Sequence, residues 1–413
     1  MPTDTTLSRR ARVISVISIG AASALALAGC SGSASPASTD APTGDGGAAQ
    51  VTITLTGDSG DSCNLDYTTA PAGPITFTVV NKSSTAITEI ELQSRSRILG
   101  EKENLAPGLA PVSFTVRLDG GTYQVYCPGA DTETQDFTVT GAAPSESGGT
   151  AADLLDEGTA GYAAYTRGVI GDMVTAVANL KTAVDAGDLE AAKKQYALAR
   201  PFYEKIESDV DGFVLDGFDP TDNHGNLDYL IDMRESTPVD DAVGWSGFHA
   251  IERDLFQNGA ITDQTKTYAA DLATNTGKLQ QLLETLTYKP EDLANGAAGL
   301  LEEVQSTKIS GEEEAYSHID LVDFAGNVEG AQQAFAFLRP GLDEIDPALS
   351  AQVADQFDAV TKLLDTYRDS AALGGYKEWT AELKASDAAK LSKAVQALQE
   401  PVSRIAEKVA TAR

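Results

Sequence analysis

Between residues 51 and 139 apolar side chains recur at every second position in short runs: Val51-Thr52-Ile53-Thr54-Leu55, Ile75-Thr76-Phe77-Thr78-Val79, Val112-Ser113-Phe114-Thr115-Val116, Thr122-Tyr123-Gln124-Val125-Tyr126 and Phe137-Thr138-Val139. Gly, Pro and Asn separate them. Strict alternation turns one face of an extended chain inward, so each run predicts a strand, and about half a dozen such strands in ~90 residues predict a small β-sandwich. After residue 150 the period changes. Ala/Leu/Glu/Lys-rich stretches such as 188–199, 264–286 and 347–372 carry helical spacing, which predicts an all-α bundle. The predicted fold class is therefore multidomain β + α. The sandwich spans 50–141 and the bundle 151–413, joined by a Gly/Ser/Pro-rich linker at 142–150.

The N-terminus belongs to neither domain. Arg9, Arg10 and Arg12 precede an uncharged apolar run from Val13 to Ala28 that ends in Leu27-Ala28-Gly29-Cys30. Positive, apolar and small-residue regions in that order form a signal peptide over 1–29. A cysteine directly after Ala-Gly is what lipoprotein processing modifies. The expectation is an extracytoplasmic protein anchored to the cell membrane by lipid on Cys30, exported by the Sec or the twin-arginine route. Residues 30–49, rich in Ser, Ala, Gly, Thr and Pro without a hydrophobic period, read as a flexible spacer.

Charge narrows the partners. The chain holds 61 acidic against 30 basic residues, a formal net charge of −31, and such a surface repels nucleic acid while concentrating cations. Once Cys30 carries lipid, only Cys63 and Cys127 remain, flanking the sandwich. In an oxidising compartment they are either a disulfide, the commoner outcome, or a pair of thiolate ligands. A blue-copper centre is excluded, because it needs two histidines and His224, His249 and His318 all lie in the helical half.

Candidate chemistry concentrates at Gly247-Phe248-His249-Ala250-Ile251-Glu252-Arg253-Asp254-Leu255-Phe256. On a helix Glu252 falls within the apolar arc of Phe248, Ile251 and Leu255, where a carboxylate requires a cation, a metal or strong donors. His249, three residues earlier, points to the same side, as in the Glu-x-x-His pairs of helical carboxylate–metal proteins. A His–Glu hydrogen bond on a half-buried surface would serve the same spacing. Glu204 and Glu207 form another i, i+3 pair just after Pro201, where a helix is expected to begin or kink. Ser310-Gly311-Glu312-Glu313 reads as a capping box, followed by a helix on which Tyr316, Asp320, Asp323 and Asn327 form one polar stripe. Solvent exposure explains that stripe more simply than metal binding, which leaves Asp320 and Glu207 as secondary candidates.

These segments carry a resemblance. Tyr203-Glu204-Lys205-Ile206-Glu207, Gly247 to Glu252, Gly296-Ala297-Ala298-Gly299-Leu300, Lys308 to Glu313 with Tyr316-Ser317-His318, and Glu101-Lys102-Glu103-Asn104-Leu105-Ala106-Pro107-Gly108 are similar to the EfeO-type iron-uptake lipoproteins. Those pair a cupredoxin-like domain with an imelysin-type domain. The resemblance covers nearly all of 50–413. It implies iron (Fe2+ or Fe3+) as cargo, partners in an iron permease and a haem peroxidase of an EfeUOB-like system, and no enzymatic role. It also implies His249 and Glu252 as metal ligands, Glu204 as the acid from the preceding helix, and Asp232 as a further acid. For the sandwich it suggests a second site, for copper or zinc, from Cys63, Cys127, Glu91, Glu101 and Glu103. There the chain departs from the family at Ile90, usually tryptophan, and after Cys127. Two other functions attach to the same resemblance: a metal-dependent peptidase of the imelysin type, and binding of an alginate-like polysaccharide. Zincins place a glutamate base between two histidines, but this motif has one. Only Trp245 and Trp379 are available for sugar stacking.

Overall fold

The computed structural model describes residues 40–412 except 45, 59, 95–96, 143–148, 211–212, 220 and 236–238. Residues 1–29, expected to be a signal peptide, and Cys30 lie outside the described residues.

The alternating runs pair into two stacked sheets. The first has the order β2 (Ser62–Leu65), β1 (Ala49–Thr56), β4 (Gly73–Asn81), β7 (Val112–Leu118). The second runs β3 (Thr69–Pro71), β9 (Thr134–Thr140), β8 (Gly121–Tyr126), β5 (Ile90–Ser94), β6 (Arg97–Lys102). Period two does what it predicts: along β1 burial alternates strictly, with Val51, Ile53 and Leu55 turned inward. Phe77 stacks on Phe114 at 5.3 Å and meets the edge of Phe137 at 5.1 Å, and this aromatic cluster fills the space between the sheets. Cys63 and Cys127 are joined in a disulfide within this core.

The helical half comprises α1 (Thr150–Ala186), α2 (Leu189–Glu204), α3 (Glu207–Val210), α4 (Leu227–Asp232), α5 (Phe248–Glu252), α6 (Asp263–Leu283), α7 (Pro290–Glu303), α8 (Asp320–Ile345), α9 (Pro347–Asp365), α10 (Ala381–Val402) and α11 (Ile405–Thr411). The long α1 packs along α2, α6 and α8, burying Leu155, Tyr162, Ile170, Met173, Val177 and Leu180 in one stripe. Asp188 caps α2 by accepting from the Ala191 N–H. None of the described helices is long and apolar enough to cross a membrane.

Three expectations need correction. Residues 40–48 are not free spacer: Ala41 donates to the Thr69 carbonyl, Gln50 to that of Pro42, and Ala41 and Ala48 are buried. Pro201 does not begin a helix but sits in the last turn of α2. Because α2 stops at Glu204 and the chain restarts as α3 at Glu207, the two glutamates do not share one continuous helical face. The segment expected as one helix through Phe256 is a single α turn, α5, followed by a π turn at Arg253–Gln257. A second π turn, Val304–Lys308, ends α7.

Sandwich and bundle pack against each other, and the described residues belong to one compact unit. β7 is the outer strand of its sheet, and its free edge meets α7. The Asn295 amide donates to the Thr115 carbonyl at 2.6 Å and accepts from its N–H at 3.5 Å, covering an edge that would otherwise invite pairing with another chain. Lys289 donates to the Arg117 carbonyl, Arg117 to that of Ala410, and the nearly buried Lys102 pairs with Glu302 at 2.8 Å.

Candidate metal centre

His249 is placed by a close backbone crossing. Gly247 has φ +86°, and a Cβ there would lie 2.2 Å from the Ile231 carbonyl oxygen, so only glycine lets α5 approach α4 this closely. The crossing sets His249 beside Asp232 at the end of α4. Both π turns adjoin the resulting site: one follows Glu252 directly, and the other delivers Lys308. Single π turns often re-aim side chains at functional positions.

The His249 imidazole is buried between carboxylates. Nδ1 lies 3.2 Å from Glu252 Oε2, while Nε2 lies 3.3 Å from Glu313 Oε1 and 3.5 Å from Asp232 Oδ1 without the geometry of a hydrogen bond to either. The other Glu252 oxygen accepts the Tyr316 and Ser317 backbone N–H groups at 2.8 and 2.7 Å. Asp232, His249 and Glu313 form one set whose ligand atoms lie within 4.8 Å of one another, and His249, Glu252 and Glu314 form a second. One nitrogen among carboxylate oxygens suits a hard or borderline cation.

Behind this pocket the carboxylates are matched by two buried cations, Arg200 and Lys308, and by the partly exposed Arg234. The Arg200 guanidinium contacts Glu204, Asp232, Glu313, Glu314 and Asp323 and lies over the Phe248 ring at 5.1 Å. Lys308 lies 3.3 to 3.7 Å from Glu204, Glu207, Glu303 and Glu313. Arg234 bridges Glu303 and Glu313 at 2.8 and 2.7 Å. Among the described residues, Glu252 has His249 as its one ion-pair partner.

These neighbours decide the protonation states. Burial alone disfavours an imidazolium, but Asp232, Glu252 and Glu313 outweigh it and raise His249 well above its ordinary value. Burial likewise pushes the Glu313 carboxyl up, yet Lys308, Arg234 and His249 hold it well below the usual carboxylate range. Glu314 goes the other way: burial, reinforced by Glu252 and Asp323, pushes its carboxyl well up. Burial also raises Asp320, to about 7.

Of the four residues expected at the centre, Asp232, His249 and Glu252 come together. Glu204 stands one carboxylate further away, held by Arg200 and Lys308 and grouped with Glu313 and Asp323. Glu207 faces Lys308 and the Asn327 amide, and Asp320 accepts the Glu314 backbone N–H, so neither secondary candidate is grouped with His249. Glu313 and Glu314 were missed. No capping box forms at Ser310: its hydroxyl donates to the Thr307 carbonyl, residues 310–319 form turns, and α8 begins at Asp320. The stripe expected to face solvent is instead interior, with Asp320, Asp323 and Asn327 fully buried. A run of adjacent acids before a helix that carries more acids was the available signal.

The sandwich candidates divide. The disulfide consumes both thiolates, which removes Cys63 and Cys127 from any metal site in this oxidised form. Glu91, Glu101 and Glu103, with Glu89, line a cavity of about 600 Å3 between the two halves, opposite Asp228, Arg234 and Glu303. Partial burial between the two halves, augmented by neighbouring acids, raises Glu89 to about 8 and Asp228 to about 6, while Glu103 stands exposed at the rim. Arg234 borders both this cavity and the His249 pocket.

Comparison with known proteins identifies the family. Residues 158–405 match the imelysin family, which carries a peptidase label. The "Iron uptake system component EfeO" of Escherichia coli K12 and that of Shigella flexneri are each 34% identical over 366 residues, covering 88% of this chain and 90% of the relative. The same component from Escherichia coli O6:H1 matches to the same extent.

Proposed function

Because the chain belongs to the EfeO family, its helical half being an imelysin domain, we propose that it captures iron outside the cytoplasm and passes it to a membrane permease of an EfeUOB-like system. Under this reading Asp232, His249, Glu252 and Glu313 hold the ion, with Glu314 beside them. The observation that carries it is His249 Nε2, buried and without a hydrogen bond, facing two carboxylates from different segments. The same carboxylates hold a proton on the ring in metal-free protein, and a cation binding there displaces it. Lipid on Cys30 would keep the domains near the permease, and a haem peroxidase would act as the third component.

Binding is favoured over hydrolysis by how the acids are engaged. A metal-dependent peptidase needs a carboxylate free to take a proton from metal-bound water. Glu252 is fixed by two backbone N–H groups, and Asp232 and Glu313 are engaged by Arg200 and Arg234. Polysaccharide binding has little support, since Trp379 is buried and Trp245 lies beneath Arg253 at 4.4 Å. Equilibrium dialysis with iron tests the reading. His249→Ala should weaken iron binding at least about tenfold, the scale of losing a group that holds or orients a metal. Unchanged affinity would remove His249 from the site.

A further inference from the structure

Glu204, Glu313 and Asp323, whose carboxylates could share a metal ion, all reach one atom, Arg200 Nη2. It contacts Glu204 and lies 3.2 Å from Glu313 and 3.3 Å from Asp323. The same guanidinium reaches Asp232 through Nη1 and Glu314 through Nε, at 3.0 Å for the latter. Its five partners come from α2, α4, the 310–319 turns and α8, so one side chain ties together the segments that supply the His249 ligands.

We propose that Arg200 is a built-in counter-cation: it occupies a seat that would otherwise take a second metal ion, keeps the carboxylate cage assembled before iron arrives, and confines loading to His249. This rests on the iron-binding reading of His249 for the cargo, but not for the role of the guanidinium. Removing one partner of a buried ion pair leaves the others uncompensated, which is strongly destabilising. Lys308 still faces Glu204 and Glu313, and Arg234 still faces Glu313, so Asp323 loses its cation outright and the cluster of three carboxylates is left one positive charge short, which a metal ion can supply. Arg200→Ala makes room for a cation and bound water, whereas Arg200→Lys restores the charge without the five-donor fork.

The experiment compares wild type, Arg200→Ala, Arg200→Lys and His249→Ala by thermal melting with and without Mn2+ and by equilibrium dialysis against Fe2+ under argon. Arg200→Ala should melt well below wild type in metal-free buffer, recover most of the loss in Mn2+, and hold one more iron per chain than wild type. Arg200→Lys should return towards wild-type melting and stoichiometry. Three results would overturn the proposal: equal destabilisation of Arg200→Ala with and without Mn2+, metal-free melting at the wild-type temperature, or no gain in bound iron. If Arg200→Ala is recovered only unfolded, refolding in Mn2+ decides, and failure there counts against it. Loss of wild-type iron stoichiometry in His249→Ala reports on the His249 site separately. If that arm fails while Mn2+ still rescues Arg200→Ala, the cargo assignment falls and the counter-cation stands.

Discussion

Glu252 separates a structural carboxylate from a metal-holding one, because its two oxygens have different partners. Oε1 fixes the 316–317 turn through two backbone N–H groups, and Oε2 faces His249. Glu252→Ala removes both functions. Hydrogen bonds to a charged acceptor contribute about 1.5–3 kcal/mol each, so losing the two costs about 3–6 kcal/mol in metal-free protein. Glu252→Gln keeps a carbonyl oxygen for the turn and replaces the oxygen facing His249 with an NH2 group or a neutral oxygen. It should leave stability within about 1–2 kcal/mol of wild type, since neutral-acceptor bonds remain. Its iron affinity should still fall at least about tenfold, or ~1.4 kcal/mol. Urea denaturation without metal and iron dialysis at one pH measure the two effects. Wild-type iron affinity in Glu252→Gln, or wild-type stability in Glu252→Ala, would refute the division of labour between the two oxygens.

Further outcomes follow from other parts of the molecule. Glu89 rises from 4.5 to about 8 in the folded state, so the folded protein retains a proton that the unfolded chain loses across that window, and stability falls as pH rises through it. Glu89→Gln should flatten that decline in melting curves recorded from pH 4.5 to 8, and an unchanged slope would speak against the assignment. A Cβ on Gly330 would lie 2.4 Å from the Lys205 carbonyl oxygen. Gly330→Ala should therefore push α8 from the end of α2 and cost about 1–3 kcal/mol, read by urea titration; no loss would mean the helices separate freely. For the anchor, Cys30→Ser should leave protein that no longer partitions into detergent with membranes, and unchanged partitioning would defeat the lipidation proposal.

The sequence by itself determined the two textures of the chain. Alternation at Val51, Ile53 and Leu55 and helical spacing in α2, α6 and α9 are local properties, and burial follows them directly. His249 and Glu252 were legible because three residues of helix fix their separation, and that geometry persists in α5. Periodicity could not reveal which distant segments meet that pair. Glu313 and Glu314 lie in turns, where no repeat aims a side chain, and they reach His249 only because Gly247 brings α5 against α4 and a π turn ends α7. The same limit misplaced Asp320, Asp323 and Asn327: a polar stripe reads as solvent-facing unless its partners are known. Those partners, Arg200, Lys308 and the turns that carry Glu313 and Glu314, are assembled only by tertiary packing. A buried charge is tolerable only where several segments supply its compensation together, and no single stretch of sequence records that.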